Sequence, residues 1–184
     1  MSRIVPAIIA VMLIPLLTMR VHAAEGGGAA DAAKPLQVVP SVDLKRYQGV
    51  WHEVARLPNR FQNKCARDTT ATYTLRPDGK VEVLNQCREA SGKISSAKGT
   101  AKLADKNGPA SKLRVTFFWP FYGNYWIIDL DPDYQWAVIG EPGRKYFWIL
   151  SRTPILPQET LDAILSRARA QGYDLSKLIV ARTS

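Results

Sequence analysis

The sequence predicts an all-β fold, an eight-stranded antiparallel up-and-down β-barrel with a short N-terminal helical turn and one C-terminal α-helix packed on the outside. Three observations carry that prediction. Short runs rich in β-branched and aromatic residues recur from Trp51 onward, turn chemistry separates them, and one stretch of helical period follows the last run. At 184 residues, with 46% apolar and 22% charged content, the chain suits one globular domain and lies outside the disordered and collagen-like classes.

Arg3 precedes an apolar run over residues 4–17, and Val21-His22-Ala23 offers small side chains at cleavage-site spacing, so residues 1–23 read as a secretory signal peptide. A spanning helix needs about 20 apolar residues, and Pro6, Pro15 and Arg20 interrupt this one. With no cysteine near the expected cut, a lipoprotein acylation site is not expected. Residues 24–40, with Gly26-Gly27-Gly28, read as a flexible tether, which leaves 41–184 for the folded domain.

A short helical run at 43–48 comes first. Strands are expected at 50–57, 69–76, 80–88, 92–103, 112–119, 124–131, 134–140 and 145–152. Arg76-Pro77-Asp78-Gly79 and Asp131-Pro132-Asp133 are strong turns, because proline presets φ and aspartate or glycine accepts the unusual dihedrals. Leu161, Ile164, Leu165 and Ala168 repeat at i, i+3, i+4 and i+7, and Gly172 supplies a stop, so a helix is expected over 157–171. Residues 178–181 could add a short outer strand.

Closing eight strands in sequence order removes exposed sheet edges and leaves room for one small ligand. Leu113, Val115, Phe117 and Trp119 share one face of their strand, and Ala97, Gly99, Ala101 and Leu103 share one face of the preceding strand. Small residues facing aromatics fit a cavity, and they also fit a core filled by those same rings. The net charge of +9 falls to +7 when Arg3 and Arg20 leave with the signal peptide. His52 is then the one histidine left, too little for a multi-histidine metal centre or a Ser-His-Asp arrangement. No metal, no cofactor and no enzymatic activity are expected. In an exported chain, Cys65 and Cys87 are expected to pair as a disulfide; the alternative is an enzyme using one of them as a nucleophile inside the barrel.

Three segments resemble the short motifs of lipocalins. They are Gly49-Val50-Trp51 after the helical run, Asp131-Pro132-Asp133-Tyr134 at the sixth turn, and Ser151-Arg152-Thr153 at the end of the eighth strand. The resemblance is closest to the bacterial lipocalins of the outer-membrane lipoprotein type, through 47–58, 122–126 and 146–154, and it covers about residues 42–181. It implies a periplasmic protein, peripheral to the outer membrane, that stores or transports fatty acids, lysophospholipids or related amphiphiles for membrane maintenance.

Strand direction alternates in such a barrel, so Trp51 and Arg152 meet at one pole, where a guanidinium over an indole closes the floor. Cys65 and Cys87 fall at the other pole, the mouth. Parity nominates Tyr73, Val83, Ala97, Phe117, Trp119, Tyr125, Tyr146 and Trp148 as ligand-lining residues, with Ala71, Val81 and Ala137 as further interior positions. Arg60, Arg67, Arg88 and Arg144 are headgroup candidates at the mouth, since an amphiphile's anionic end stays where cations and water can meet it. Glu53 shares the face of Trp51 and is expected to pair with an arginine near the floor. Lys98, Lys102, Lys112 and Arg114 form a basic outer wall suited to an anionic membrane surface. Nucleic acid is not an expected partner, and a monomer or homodimer is expected.

Overall fold

The computed structural model describes residues 34–181. The expected signal peptide and the start of the tether lie outside the described residues. Asp43 opens α1 (Leu44–Tyr47) by accepting hydrogen bonds from the Lys45 and Arg46 amides at 2.8 and 3.4 Å. The chain then turns into β1 (Gly49–Arg56) at Gly49, whose φ of +95° suits glycine. A Cβ there would stand 3.4 Å from Nη1 of Arg152.

The remaining strands are β2 (Arg67–Leu75), β3 (Val81–Arg88), β4 (Ile94–Leu103), β5 (Lys112–Phe118), β6 (Phe121–Leu130), β7 (Trp136–Gly140) and β8 (Phe147–Ser151). A 3-10 turn, Arg60–Gln62, interrupts the loop between β1 and β2. Neighbours pair in sequence order, and β1 closes the barrel by pairing with both β8 and β2. The β1–β2 ladder runs only from Gly49↔Tyr73 to His52↔Thr70. Beyond it the two strands part, and the short outer strand β9 (Ile179–Val180) takes the place of β2 beside Ala55 and Arg56.

Two apolar cores result. Tyr47, Trp51, Tyr73, Val83, Ile127, Ile139 and Leu150 fill the closed half of the barrel, with Ala71, Val81 and Ala137 in the same core. Val54, Ala55, Val138, Phe147 and Ile149 face outward and pack against Leu161, Ile164 and Ala168 of α2 (Gln158–Ala170). Residues 34–40 do not behave as the end of a tether. Leu36 is buried in the outer core, and the Val39 amide donates to the Ile127 carbonyl at 3.1 Å. Burying Leu36, Val38 and Val39 offsets the entropy of ordering this segment.

A register shift between Glu53 and Ala55 matters for the interior. Glu53 pairs with inward-facing Leu150, Ala55 with outward-facing Ile149, and Arg56 with Trp148. Directly paired residues share a face, so Val54 and Ala55 both serve the outer core while Glu53 and Arg56 both face inward.

Candidate functional site

The floor is built first. Arg152 lies 3.8 Å above the Trp51 ring centroid and donates to the carbonyls of Val50 (3.0 Å), Arg46 (2.8 Å) and Tyr134 (3.3 Å). Trp51 is fully buried, and its indole N–H donates to the Tyr47 carbonyl at 2.8 Å. One guanidinium thus ties α1, β1 and the β6–β7 turn together, and the pole is sealed.

Above the floor, the hydroxyl of Tyr125 meets those of Tyr47 at 2.9 Å and Tyr73 at 2.7 Å. Burial pushes all three phenols well above their ordinary value, so they act as neutral groups. Three hydroxyls bring three protons, and the two bonds among them use two.

The upper wall carries charge. Glu53 is buried, with Oε1 accepting from Arg56 Nη1 at 2.9 Å and Oε2 from Gln62 Nε2 at 2.5 Å. Gln62 Oε1 accepts from the Trp148 indole and from Asn59, each at 2.8 Å. Burial raises the Glu53 carboxyl despite the opposing pull of Gln62 and Arg56. Trp148 stacks on Tyr146 at 5.9 Å, and Phe61 packs against Tyr146 at 5.6 Å. The first loop is therefore laid over the mouth by Phe61 and Gln62. Its far end is fixed by the Cys65–Cys87 disulfide, Cα atoms 5.5 Å apart, and by the Ala66 amide on the Arg88 carbonyl. Where β1 and β2 part, a cavity of about 320 Å³ is lined by Glu53, Arg56, Arg67, Thr69 and the β9 segment.

The nominated lining residues separate into groups. Tyr73 and Val83 belong to the filled half, Tyr125 to the hydroxyl cluster, and Tyr146 and Trp148 to the upper wall. Ala97 is exposed on the mouth half of β4, and the Phe117 ring lies where a Cβ on Gly99 would stand, 2.8 Å from it. Trp119 does not line the interior. It is 78% exposed at the tip of the β5–β6 hairpin, because β6 resumes at Phe121 and only Trp119 and Pro120 form the connection.

Among the headgroup candidates, Arg60 and Arg67 are exposed at the mouth, and Arg67 lines the cavity. Arg88 is held by Asp68 and the Gly92 carbonyl. Arg144 serves the outside of the barrel, donating to the carbonyls of Gln171, Pro142 and Lys34, which secures the end of α2 and the N-terminal segment. Glu53 pairs with Arg56, toward the mouth, and not with an arginine at the floor. Sequence parity missed Arg56, whose inward turn depends on the register shift, and Gln62, which carries no signal as a loop glutamine.

A closed antiparallel barrel with one pole sealed and the other lined by aromatic and polar side chains defines a small-ligand-binding β-barrel. A family model described as a lipocalin-like domain matches residues 42–183. Temperature-induced lipocalin-1 of Arabidopsis thaliana is 44% identical over 152 residues, 79% of this chain and 81% of that protein. Outer membrane lipoprotein Blc of Escherichia coli K12 is 41% identical over 143 residues, 77% of this chain and 80% of the relative. The solved structure of insecticyanin from the tobacco hornworm Manduca sexta aligns with a TM-score of 0.67 at 26% identity, covering 81% of this chain and 85% of that one. The chain belongs to the lipocalin family.

Proposed function

We propose that this lipocalin is an exported, periplasmic lipid-binding protein that stores or transports fatty acids, lysophospholipids or related amphiphiles for membrane maintenance, without a catalytic step of its own. The observation that carries the reading is the upper half of the barrel, where the Tyr146–Trp148 stack adjoins the inward-facing Glu53–Arg56 pair and a cavity of about 320 Å³. An apolar wall beside a few oriented polar groups is the chemistry of an amphiphile site. The cavity has the size of a headgroup, and the hydrocarbon would extend along the open half past Ala97 and Phe117. Arg56 Nε is buried without a partner among the described residues and offers one more donor to an anionic or carbonyl oxygen.

The Blc relatives are named as outer membrane lipoproteins, which supports an exported protein working near that membrane and gives no support to an unacylated chain. The Cys65–Cys87 disulfide supports the binding reading over the thiol-enzyme alternative, which calls for a free thiolate. Lipid extraction and mass spectrometry on protein purified from its own compartment test the reading. Recovery of a stoichiometric fatty acid or lysophospholipid is expected. An empty protein that also fails to bind either class in titration refutes it.

A further inference from the structure

The large exposed apolar side chains are unevenly placed. Phe118, Trp119 and Phe121 are 75%, 78% and 72% exposed, and Phe61, Ile94 and Phe117 add further apolar surface. The strand directions bring all six to the mouth pole, four of them in the β5–β6 hairpin. The Phe118 and Phe121 rings stack with centroids 6.2 Å apart, so the tip is an ordered wedge. Soluble proteins seldom leave such a contiguous apolar projection in water unless something covers it.

The chemistry behind the wedge identifies the cover. Lys102 and Arg114 lie over the Tyr122 ring at 4.5 and 5.6 Å; that ring follows Phe121 directly, and the two cations themselves sit four residues behind Phe118 along the ladder. Lys98 is exposed two positions mouthward of the Thr100↔Thr116 pair, level with Phe118. Between Ile94 and Asn124 the one acidic residue is Asp105, at the opposite pole. The mouth's other acids are engaged: Glu141 accepts from the Gly143 and Lys145 amides, Asp68 from Arg88, and Glu89 lies 4.0 Å from Lys64. Aromatic rings at the front with cations beside and behind them match the order of a lipid interface, acyl boundary first and phosphates next. A second copy fits less well, because a two-fold contact through the wedge would bring the Lys98, Lys102 and Arg114 sets of both copies together.

We infer that the mouth pole docks on an anionic lipid bilayer, with Phe118, Trp119 and Phe121 seated in the interface and Lys98, Lys102 and Arg114 against the headgroups. The barrel then opens directly onto the membrane. This goes beyond the ligand reading and does not depend on it, since the surface operates whether the barrel is loaded or empty.

Flotation with phosphatidylcholine vesicles, with and without phosphatidylglycerol, tests the inference. The wild type is expected to float with the anionic vesicles, more weakly as salt rises. The double variant Trp119→Ser/Phe121→Ser should lose at least tenfold in partitioning, with unchanged circular dichroism and unchanged fatty-acid affinity. Lys98→Glu/Lys102→Glu should lose a comparable factor at low salt only. Equal flotation of the wild type and the Trp119→Ser/Phe121→Ser variant overturns the inference, as does no flotation of the wild type. A wild-type dimer that this variant converts to monomer, with no change on vesicles, overturns it in favour of self-association. Loss of fatty-acid affinity in a separate interior variant leaves the flotation result untouched, so the two readings fail independently.

Discussion

Replacing Arg152 by Lys separates the sealed floor from the open mouth. The guanidinium makes three hydrogen bonds to carbonyls of Arg46, Val50 and Tyr134 and covers the Trp51 face at 3.8 Å. An ammonium retains the charge but lacks the planar fork that reaches three carbonyls at once. Losing two hydrogen bonds from a charged donor and most of the cation–π contact amounts to about 3 kcal/mol after partial compensation by water. For a domain of this size that is about 6–12 °C in Tm. Thermal and urea unfolding report the stability, and titration with a lysophospholipid below the new Tm reports the mouth. The expected result is a destabilised barrel whose lipid affinity is within about twofold of the wild type, a difference under about 0.5 kcal/mol. A folded variant with sharply reduced affinity would refute the assignment of Arg152 to the floor, and an unchanged Tm would refute the energetic weight given to the contact.

Other perturbations have equally definite outcomes. Removing the disulfide with Cys65→Ser/Cys87→Ser should cost about 3 kcal/mol in the chain-entropy account of a loop with sequence separation 22, read by urea unfolding of the variant against the oxidised protein. The Glu53 carboxyl is raised by burial. Between its ordinary value near 4.5 and the raised native value, the folded chain holds a proton the unfolded chain has lost, so stability falls as pH rises through that window. Glu53→Gln should flatten this part of the stability–pH curve, and an unchanged slope would remove Glu53 as its source. Gln62→Ala deletes the bridge between Glu53 and Trp148 and should lower stability by about 1–3 kcal/mol, while stopped-flow ligand exchange becomes faster because the first loop is released. Gly140→Ala would place a methyl 2.1 Å from the Tyr173 hydroxyl, so Tyr173 must leave its bond to the Glu141 amide; overpacking of this kind costs about 1–3 kcal/mol, measurable in the Tm.

The barrel itself was legible because burial on one face imposes a period of two. The alternation of Leu113, Val115 and Phe117 against Arg114 and Thr116 places β5, and the Leu161, Ile164 and Ala168 spacing places α2. The floor was legible too, since strand direction alone brings Trp51 to Arg152. Departures arise where one residue breaks the period. The register shift at Val54 turns Arg56 inward, and alternation counted through the shift assigns it to the outside. A two-residue connection puts Phe121 in β6, whereas a longer loop through Gly123 follows from its turn-forming glycine. Arg144 is a mouth cation by position, yet its φ of +56° and its bonds to backbone carbonyls turn it toward the end of α2. In the segment 34–40 the signal was present in Leu36, Val38 and Val39, but the glycines and alanines ahead of them set the reading of the whole stretch as tether. The distinction between a filled and a hollow interior rests on ring positions such as Phe117 over Gly99, which no periodicity encodes.

The central claim is that the wall formed by Trp148, Tyr146 and the Glu53–Arg56 pair holds the amphiphile. Calorimetric titration of a lysophospholipid into the wild type and into Trp148→Ala, both shown to be folded by near-ultraviolet circular dichroism, tests it most directly. The account predicts at least a tenfold loss of affinity, about 1.4 kcal/mol or more, from removing the indole that stacks on Tyr146 and holds Gln62. Equal affinities in the two folded proteins would place the lipid elsewhere and contradict it.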